Sequence, residues 1–333
     1  MPAGQLAQNI LGSQRALVDR VTLVNAIRFP FMAMVPKGPT VDNLKYEWPA
    51  DQFEDPEDNA VIDGTDVNEF SNAAEDYGVL SNRIQWMRDS AMVSKLSQDV
   101  QNQAGVKNKK AYAVKKKLEK LWRDIETAFC SDNEMVVGTG AVANKLRGVG
   151  TWIASSAQSV EAVPTAFLTN SAAIHTGTIA QLTEDVFQGL LTGIWQRTGQ
   201  IKRYTLLCGS TLRSVFTGYT KTSSGSTNTQ ASVRTYDTKL AGKKITATID
   251  VYEGDFGTVE IVPSHWLAYF TSTAANLRRG YIIDWELLDV VWKQMPQVSP
   301  LPDLGGGPRF LVDAIVGLRC YNPQGLGKIS STS

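Results

Sequence analysis

Residues 107–130 read KNKKAYAVKKKLEKLWRDIETAFC. The apolar members Ala111, Val114, Leu118, Leu121, Trp122, Ile125, Ala128 and Phe129 recur at gaps of three and four. That spacing places them on one face of an α-helix. Lys109, Lys110, Lys115, Lys116, Lys117, Lys120 and Arg123 fill most of the remaining arc. At 1.5 Å per residue the helix would run roughly 35 Å, about the width of a small domain. A rod with one apolar stripe needs a layer packed against it. Its basic face has two readings, a solvated surface or a surface that meets another chain.

Upstream lies the opposite charge. Asn43–Phe53 alternates as a strand, with Leu44, Tyr46 and Trp48 on one face. From Tyr46 to Asn82 there is no Lys or Arg but there are eleven acids, among them Glu54, Asp55, Glu57, Asp58, Asp63 and Asp66. Alternation resumes at Tyr77, Val79, Ile84 and Trp86. Strand, acidic excursion, strand predicts a long hairpin, and a loop of this length in a compact domain is functional or disordered. Met92, Val93, Leu96 and Val100 predict a helix over Asp89–Val100, broken at Gly105 before the basic helix. Residues 1–25 carry a short amphipathic pattern. Asn25–Met34 is an apolar run stopped by Pro30, and the whole region reads as an arm that is ordered by docking.

Downstream, Ser131–Ser156 is glycine-rich and closes on Trp152 and Ile153. Residues 157–180 read as loop. Thr183 caps a helix with Phe187, Leu190, Leu191, Ile194 and Trp195 on one face, and Gly199 suits its C-terminal cap. Tyr204–Cys208 is a buried strand, and Ser210 starts a helix through Tyr219. Residues 221–235 form a polar loop. Ile245, Ala247, Ile249 and Val251, the turn EGDFG, then Val259 and Ile261 make a hairpin. Tyr281–Trp292 is apolar, Pro296–Pro308 is a connector, and Phe310–Leu318 is a last alternating strand. Helices and strands in this order predict an α/β or α+β protein of about two domains.

Lys plus Arg and Asp plus Glu number 33 each, so the chain is neutral. A dedicated nucleic-acid binder would be basic. The three cysteines have no CxxC spacing, and the two histidines lie about 90 residues apart, so no zinc signature exists. The first residues lack a basic n-region and apolar h-region, and no run reaches membrane-spanning length. Gly325-Leu326-Gly327-Lys328 lacks P-loop spacing and reads as a flexible loop. The acids near Asp58–Asp66 do not match a calcium loop. The strongest enzymatic alternative is a site around Cys208, Ser210 and His265. No catalytic residue, cofactor or metal site stands out, and the parts that reach outward suit an assembling subunit.

The order of these parts resembles the major capsid proteins of tailed bacteriophages, a fold shared with the herpesvirus shell floor and with encapsulins. Four local patterns carry the resemblance: Leu146-Arg147-Gly148-Val149 with Trp152-Ile153, the helix–Gly199–strand–Ser210 unit, Tyr252 with Asp255-Phe256-Gly257, and Asn322-Pro323. The resemblance implies an N-terminal arm over 1–42 and an E-loop over 43–88. It implies a P-domain over 89–164 with the spine helix 107–130, an A-domain over 165–290, and a P-domain return over 291–333. It implies a head shell around double-stranded DNA, assembled in the host cytoplasm from hexamers and pentamers. Scaffold, portal and decoration proteins are its expected partners, DNA touches the interior non-specifically, and no membrane is involved. The acidic set Glu54, Asp55, Glu57, Asp58, Asp63 and Asp66 is expected to face the basic set Lys109, Lys110, Lys115, Lys116, Lys120 and Arg123 across subunits. An encapsulin-like shell around a cargo protein is the alternative of the same fold. The chain leaves no room for a long N-terminal scaffolding segment, so a separate scaffold protein or none is expected. Some relatives use an E-loop lysine for an isopeptide cross-link, and here no lysine lies between Tyr46 and Asn82.

Overall fold

The quoted stretch forms a helix of 21 residues, Lys109–Phe129, two residues shorter at its start than the pattern suggests. Asn108 sets the start, because its side chain accepts a hydrogen bond from Ala111 N at 3.0 Å. A computed structural model of the protein describes residues 28–53, 56–67, 77–99, 106, 108–219, 236–237, 244–245, 250–268 and 277–330. Glu54, Asp55, most of the arm, the loop 221–235, and Ala247 and Ile249 lie outside the described residues.

In chain order the first elements are α1 (Pro30–Met34), β1 (Lys45–Ala50), β2 (Gly78–Arg83), β3 (Gln85–Met92), α2 (Lys95–Asp99), α3 (Lys109–Phe129) and α4 (Val149–Trp152). Then follow β4 (Ile174–His175), α5 (Glu184–Thr198), β5 (Lys202–Cys208), α6 (Ser210–Tyr219), β6 (Tyr236–Asp237) and β7 (Lys244–Ile245). The last are β8 (Val251–Gly254), β9 (Gly257–Pro263), β10 (Gly280–Ile283), β11 (Leu288–Leu301), β12 (Arg309–Cys320) and β13 (Gly327–Ile329).

A three-stranded antiparallel sheet, β11-β12-β3, lies against α3. Along β12, Phe310, Val312, Ala314, Val316, Leu318 and Cys320 are buried. They meet Leu121, Ile125 and Phe129 from α3 in one core. Burying each such side chain is worth about 1.5–3 kcal/mol. The strand pair β1-β2 covers the far end of this sheet. Tyr46 donates its hydroxyl hydrogen to Leu318 O at 2.8 Å, and Trp48 Nε1 donates to Cys320 O at 3.0 Å. Gly317 permits that approach, since a Cβ there would lie 2.5 Å from Tyr46 Oη.

The second layer is a six-stranded sheet, β4-β13-β10-β5-β9-β8. Residues of α5 and α6, including Phe187, Leu190, Ile194, Leu212 and Phe216, share a second core with Tyr204, Leu206, Val259, Ile261, Ile282 and Ile329. Thr183 caps α5 through Val186 N, Glu184 and Asp185 occupy its first turn, and Gly199 ends it at φ +63°. The turn Gly254–Gly257 joins β8 to β9 as an antiparallel hairpin.

Several expectations need correction. Pro30 opens a helix instead of stopping a run, because its missing N–H is no loss at the first helical position. Asp89–Met92 belongs to β3, and among the described residues of this stretch only Lys95–Asp99 is helical. Pairing with β12 overrides the helical spacing. Pro296 and Pro300 lie inside β11 and not in a connector. This strand is an edge strand with register shifts, where a missing N–H is tolerated. Gly325–Lys328 is ordered. Gly325 ends a 3₁₀ turn, and Gly327-Lys328 enters β13, so the 291–333 segment is divided between the two sheets.

Candidate subunit interface

The hairpin is fixed at its base and open at its tip. β1 and β2 pair from Lys45↔Arg83 to Ala50↔Gly78. Below them Glu161 collects Ser81 Oγ at 2.7 Å, Arg83 at 2.7 Å and Lys45 at 3.4 Å. Burial would raise the Glu161 carboxyl, but these donors and charges outweigh it and hold it below the usual carboxylate range. Asn82 Nδ2 donates to Leu318 O at 2.6 Å, and Arg147 N donates to Asn82 Oδ1 at 2.9 Å.

Between the strands, Glu57, Asp58, Asp63 and Asp66 are exposed, as expected. Their apolar neighbours were not anticipated. Phe53 is 97% exposed, Ile62 81%, Val61 77% and Val67 73%. Isolated exposed apolar residues are ordinary, but a cluster in one loop marks a contact surface.

The basic face of α3 divides. Lys110, Lys115, Lys116 and Lys120 are exposed, while Lys109 and Arg123 are half-buried. Lys117 and Lys120 each reach Asp89 at 2.8 Å, and those bonds hold the Asp89 carboxyl low against the opposing effect of its burial. Lys109 bonds Ser97 O, Lys115 lies 3.9 Å from Glu119, and Arg123 stacks 5.2 Å above the Trp266 ring. Among the described residues, no loop acid pairs with a lysine of α3 in the same chain. Among the described residues, the two predicted sets are therefore not brought together within one subunit.

Two anchors escaped the sequence reading. Glu126 is fully buried, and its oxygens accept from Phe31 N at 2.8 Å and Met32 N at 2.9 Å. Burial pushes its carboxyl up to about 7, against the pull of those two N–H groups. Phe31 packs 5.5 Å from Phe129 and 5.4 Å from Trp285. The signal available in sequence was one acid inside the apolar stripe of α3. The second anchor is Asp132 in the glycine-rich segment. It accepts from Tyr281 Oη at 2.9 Å and pairs with Arg279 at 2.7 Å and Lys328 at 2.8 Å. This ties the segment after α3 to the six-stranded sheet. Nearby, buried Arg147 meets Glu134 at 2.8 Å and lies 4.8 Å over Trp152.

The enzymatic alternative loses its thiol. Cys208 is buried, with its thiol pushed up to about 12, so no thiolate forms near neutral pH. Ser210 is the first residue of α6, and His265 lies edge-on to Trp266 at 5.4 Å. Among the described residues, no group of three acids, histidines or cysteines is placed to hold a metal, and no helix is long and apolar enough to cross a membrane.

No curated protein matches the chain. Among solved structures, the capsid of a native GTA particle aligns with TM-score 0.60 and 11% identity, over 96% of both chains. Mycobacterium phage Bobi gives 0.60 and 9% over the same shares, and the Cyanophage A-1(L) capsid gives 0.61 and 11%, again over 96% of each. At such identities these likenesses show the fold. A family model for the SU10 major capsid protein matches residues 4–333. The chain is a structural protein of a tailed-phage capsid and not an enzyme, and it belongs to the SU10 major capsid protein family.

Proposed function

We propose that this subunit is an overlapping tile of an icosahedral head shell around double-stranded DNA, and that the hairpin loop 51–77 supplies the overlap. The arm is residues 1–42 and the E-loop is 43–88. The P-domain comprises 89–164 and 291–333, with β13 lent to the A-domain sheet, and the A-domain is 165–290. Hexamers and pentamers are the building units, scaffold, portal and decoration proteins are the further partners, and assembly takes place in the host cytoplasm.

The observation that carries this reading is the hairpin itself. Its base is bonded into the body, while its apolar tip residues are 73–97% exposed. A tip that gains nothing from its own chain is built for another. Glu57, Asp58, Asp63 and Asp66, with Glu54 and Asp55, set its orientation against Lys110, Lys115 and Lys116 of the neighbouring spine helix. Exposed ion pairs are worth about 0–1 kcal/mol each, so charge supplies register and apolar contact supplies affinity. Obligate interfaces bury about 2,000 Å² or more in total, which a loop of this length and the arm can together provide. Electron microscopy of the purified protein tests the reading. Closed shells, or rings of five and six, are expected, and a discrete dimer or monomer at every concentration would refute it.

A further inference from the structure

Among the described residues no cation pairs with Glu126 of α3, although its side chain is fully buried. Its partners are two backbone groups, Phe31 N at 2.8 Å and Met32 N at 2.9 Å. A carboxylate taken out of water without a cation is costly, and two neutral donors restore only part of its hydration. The charged and titratable groups on the elements around it are engaged elsewhere. Arg123, one turn earlier on α3, stacks on the Trp266 ring, and His265 lies edge-on to the same ring. Asp284 and Glu286, which flank Trp285, bind Lys202 at 2.9 and 2.7 Å. Cys130, one turn later, is buried with its thiol pushed well above the ordinary range, so it stays neutral. Arg28 and Lys37 of the arm are exposed.

The segment that this acid holds is thin. Between Arg28 and Val35 only Phe31 and Val35 are buried. Phe31 sits between Phe129 and Trp285, and Phe29 stacks on Trp266, whose Nε1 donates to Arg28 O at 2.6 Å. The helix α1 has five residues, too few to stand alone. The chain that follows is tied down differently. Val290 N donates to Pro36 O at 3.0 Å, and Gly38 N donates to Val290 O at 2.8 Å. Those bonds join the arm to the edge of β11 and do not involve Glu126. Residues 28–35 are thus a small docked unit with a pivot at Pro36–Gly38, of the kind that opens before a core does.

We propose that Glu126 is a proton-gated latch: protonated, it keeps residues 28–35 docked on α3, and deprotonated, it favours their lifting away while both sheets stay folded. A neutral carboxyl still accepts a hydrogen bond at its carbonyl oxygen and carries no charge to hydrate. Lifting lets water reach the carboxylate. The docked carboxyl titrates at about 7, and a hydrated one returns toward the ordinary 4.5. The docked state binds the extra proton between those values. Docking is therefore strongest below pH 4.5, weakens as pH rises, and is weakest above pH 7. The latch does not depend on the overlapping-tile reading.

The test is hydrogen exchange from pH 5 to pH 8, read by mass spectrometry on the peptide over residues 29–35, with the intrinsic pH dependence of exchange divided out. The amides of Phe31, Met32, Ala33 and Val35 all carry bonds that lifting exposes. Their protection should fall on the order of fiftyfold across that range. At every pH it should stay well below the protection of β12, because the arm opens without the core. Glu126→Gln should abolish the fall, whatever protection it starts from. His265→Asn, which removes the histidine beside the Trp266 anchor, should keep it. A flat wild-type profile overturns the latch. So does a fall that survives Glu126→Gln or vanishes with His265→Asn, and so does equal protection of the arm and β12, which would mean that the arm opens only when the whole subunit unfolds.

Discussion

The two ends of one hairpin obey different rules. At its base, Tyr46, Trp48 and Asn82 bond to the β12 backbone, and Glu161 gathers Ser81, Arg83 and Lys45. At its tip, Phe53, Val61, Ile62 and Val67 face solvent among acids. The base is specified by the chain that makes it, and the tip is specified by the surface it will cover. Stability and assembly are therefore separable in this molecule. Substitutions at the base should act on folding, and substitutions at the tip on association.

The largest effect is expected at the base. Trp48→Ala removes a buried indole stacked 5.7 Å from Tyr46 and its bond to Cys320 O, and should destabilise the subunit by about 3–5 kcal/mol in urea unfolding. Ile62→Asp, at the tip, should change the same measurement by less than about 0.5 kcal/mol while abolishing shells by sedimentation. Equal destabilisation by the two would erase the distinction.

Next comes Glu126, which belongs with the base because it holds the arm to α3. Its folded carboxyl titrates at about 7, above the ordinary value of 4.5. Between those pH values the folded chain binds the extra proton. The group's contribution is therefore fully present below pH 4.5 and is lost as pH rises through 7. Glu126→Gln removes this dependence. In an Ile62→Asp background that stays unassembled, the stability of the Glu126 protein relative to its Gln variant should fall by up to roughly 3 kcal/mol between pH 4.5 and pH 8. A flat difference would show that the two N–H bonds offset the burial.

The charge register should show a smaller effect. Reversing Lys115 and Lys116 to Glu should slow shell assembly most at low salt and little at high salt, read by light scattering, because screening removes exposed attraction. Smallest of all is Asp89→Asn, which loses its partly exposed contacts with Lys117 and Lys120. It should cost about 1 kcal/mol or less in unfolding and leave assembly intact.

The legible parts of this fold were those with a long period or a complete punctuation. The stripe Leu121–Phe129, the Thr183 cap with Gly199, and the turn Gly254–Gly257 each carry their own geometry in the letters. What stayed hidden depends on partners distant in sequence. Asp89–Met92 fits a helix with Leu96 until β12 pairs with Gln85–Met92 as a strand and leaves the helix to start at Lys95. Pro296 and Pro300 look like a break until β11 is known to be an edge. The acids of the loop were visible as a charge run, whereas the meaning of Val61 and Ile62 required their exposure to be seen. Glu126 was one charged letter in an apolar face, and only the folded arm shows that it caps Phe31 and Met32.

The overlap between copies is tested most directly by sedimentation with electron microscopy on the wild-type protein beside its Val61→Asp, Ile62→Asp double variant. The wild type should form closed shells. The variant should remain as slowly sedimenting subunits or small oligomers, with the melting temperature of the parent. Shells of normal size from the variant would contradict the account, as would a wild-type protein that never exceeds a small discrete oligomer.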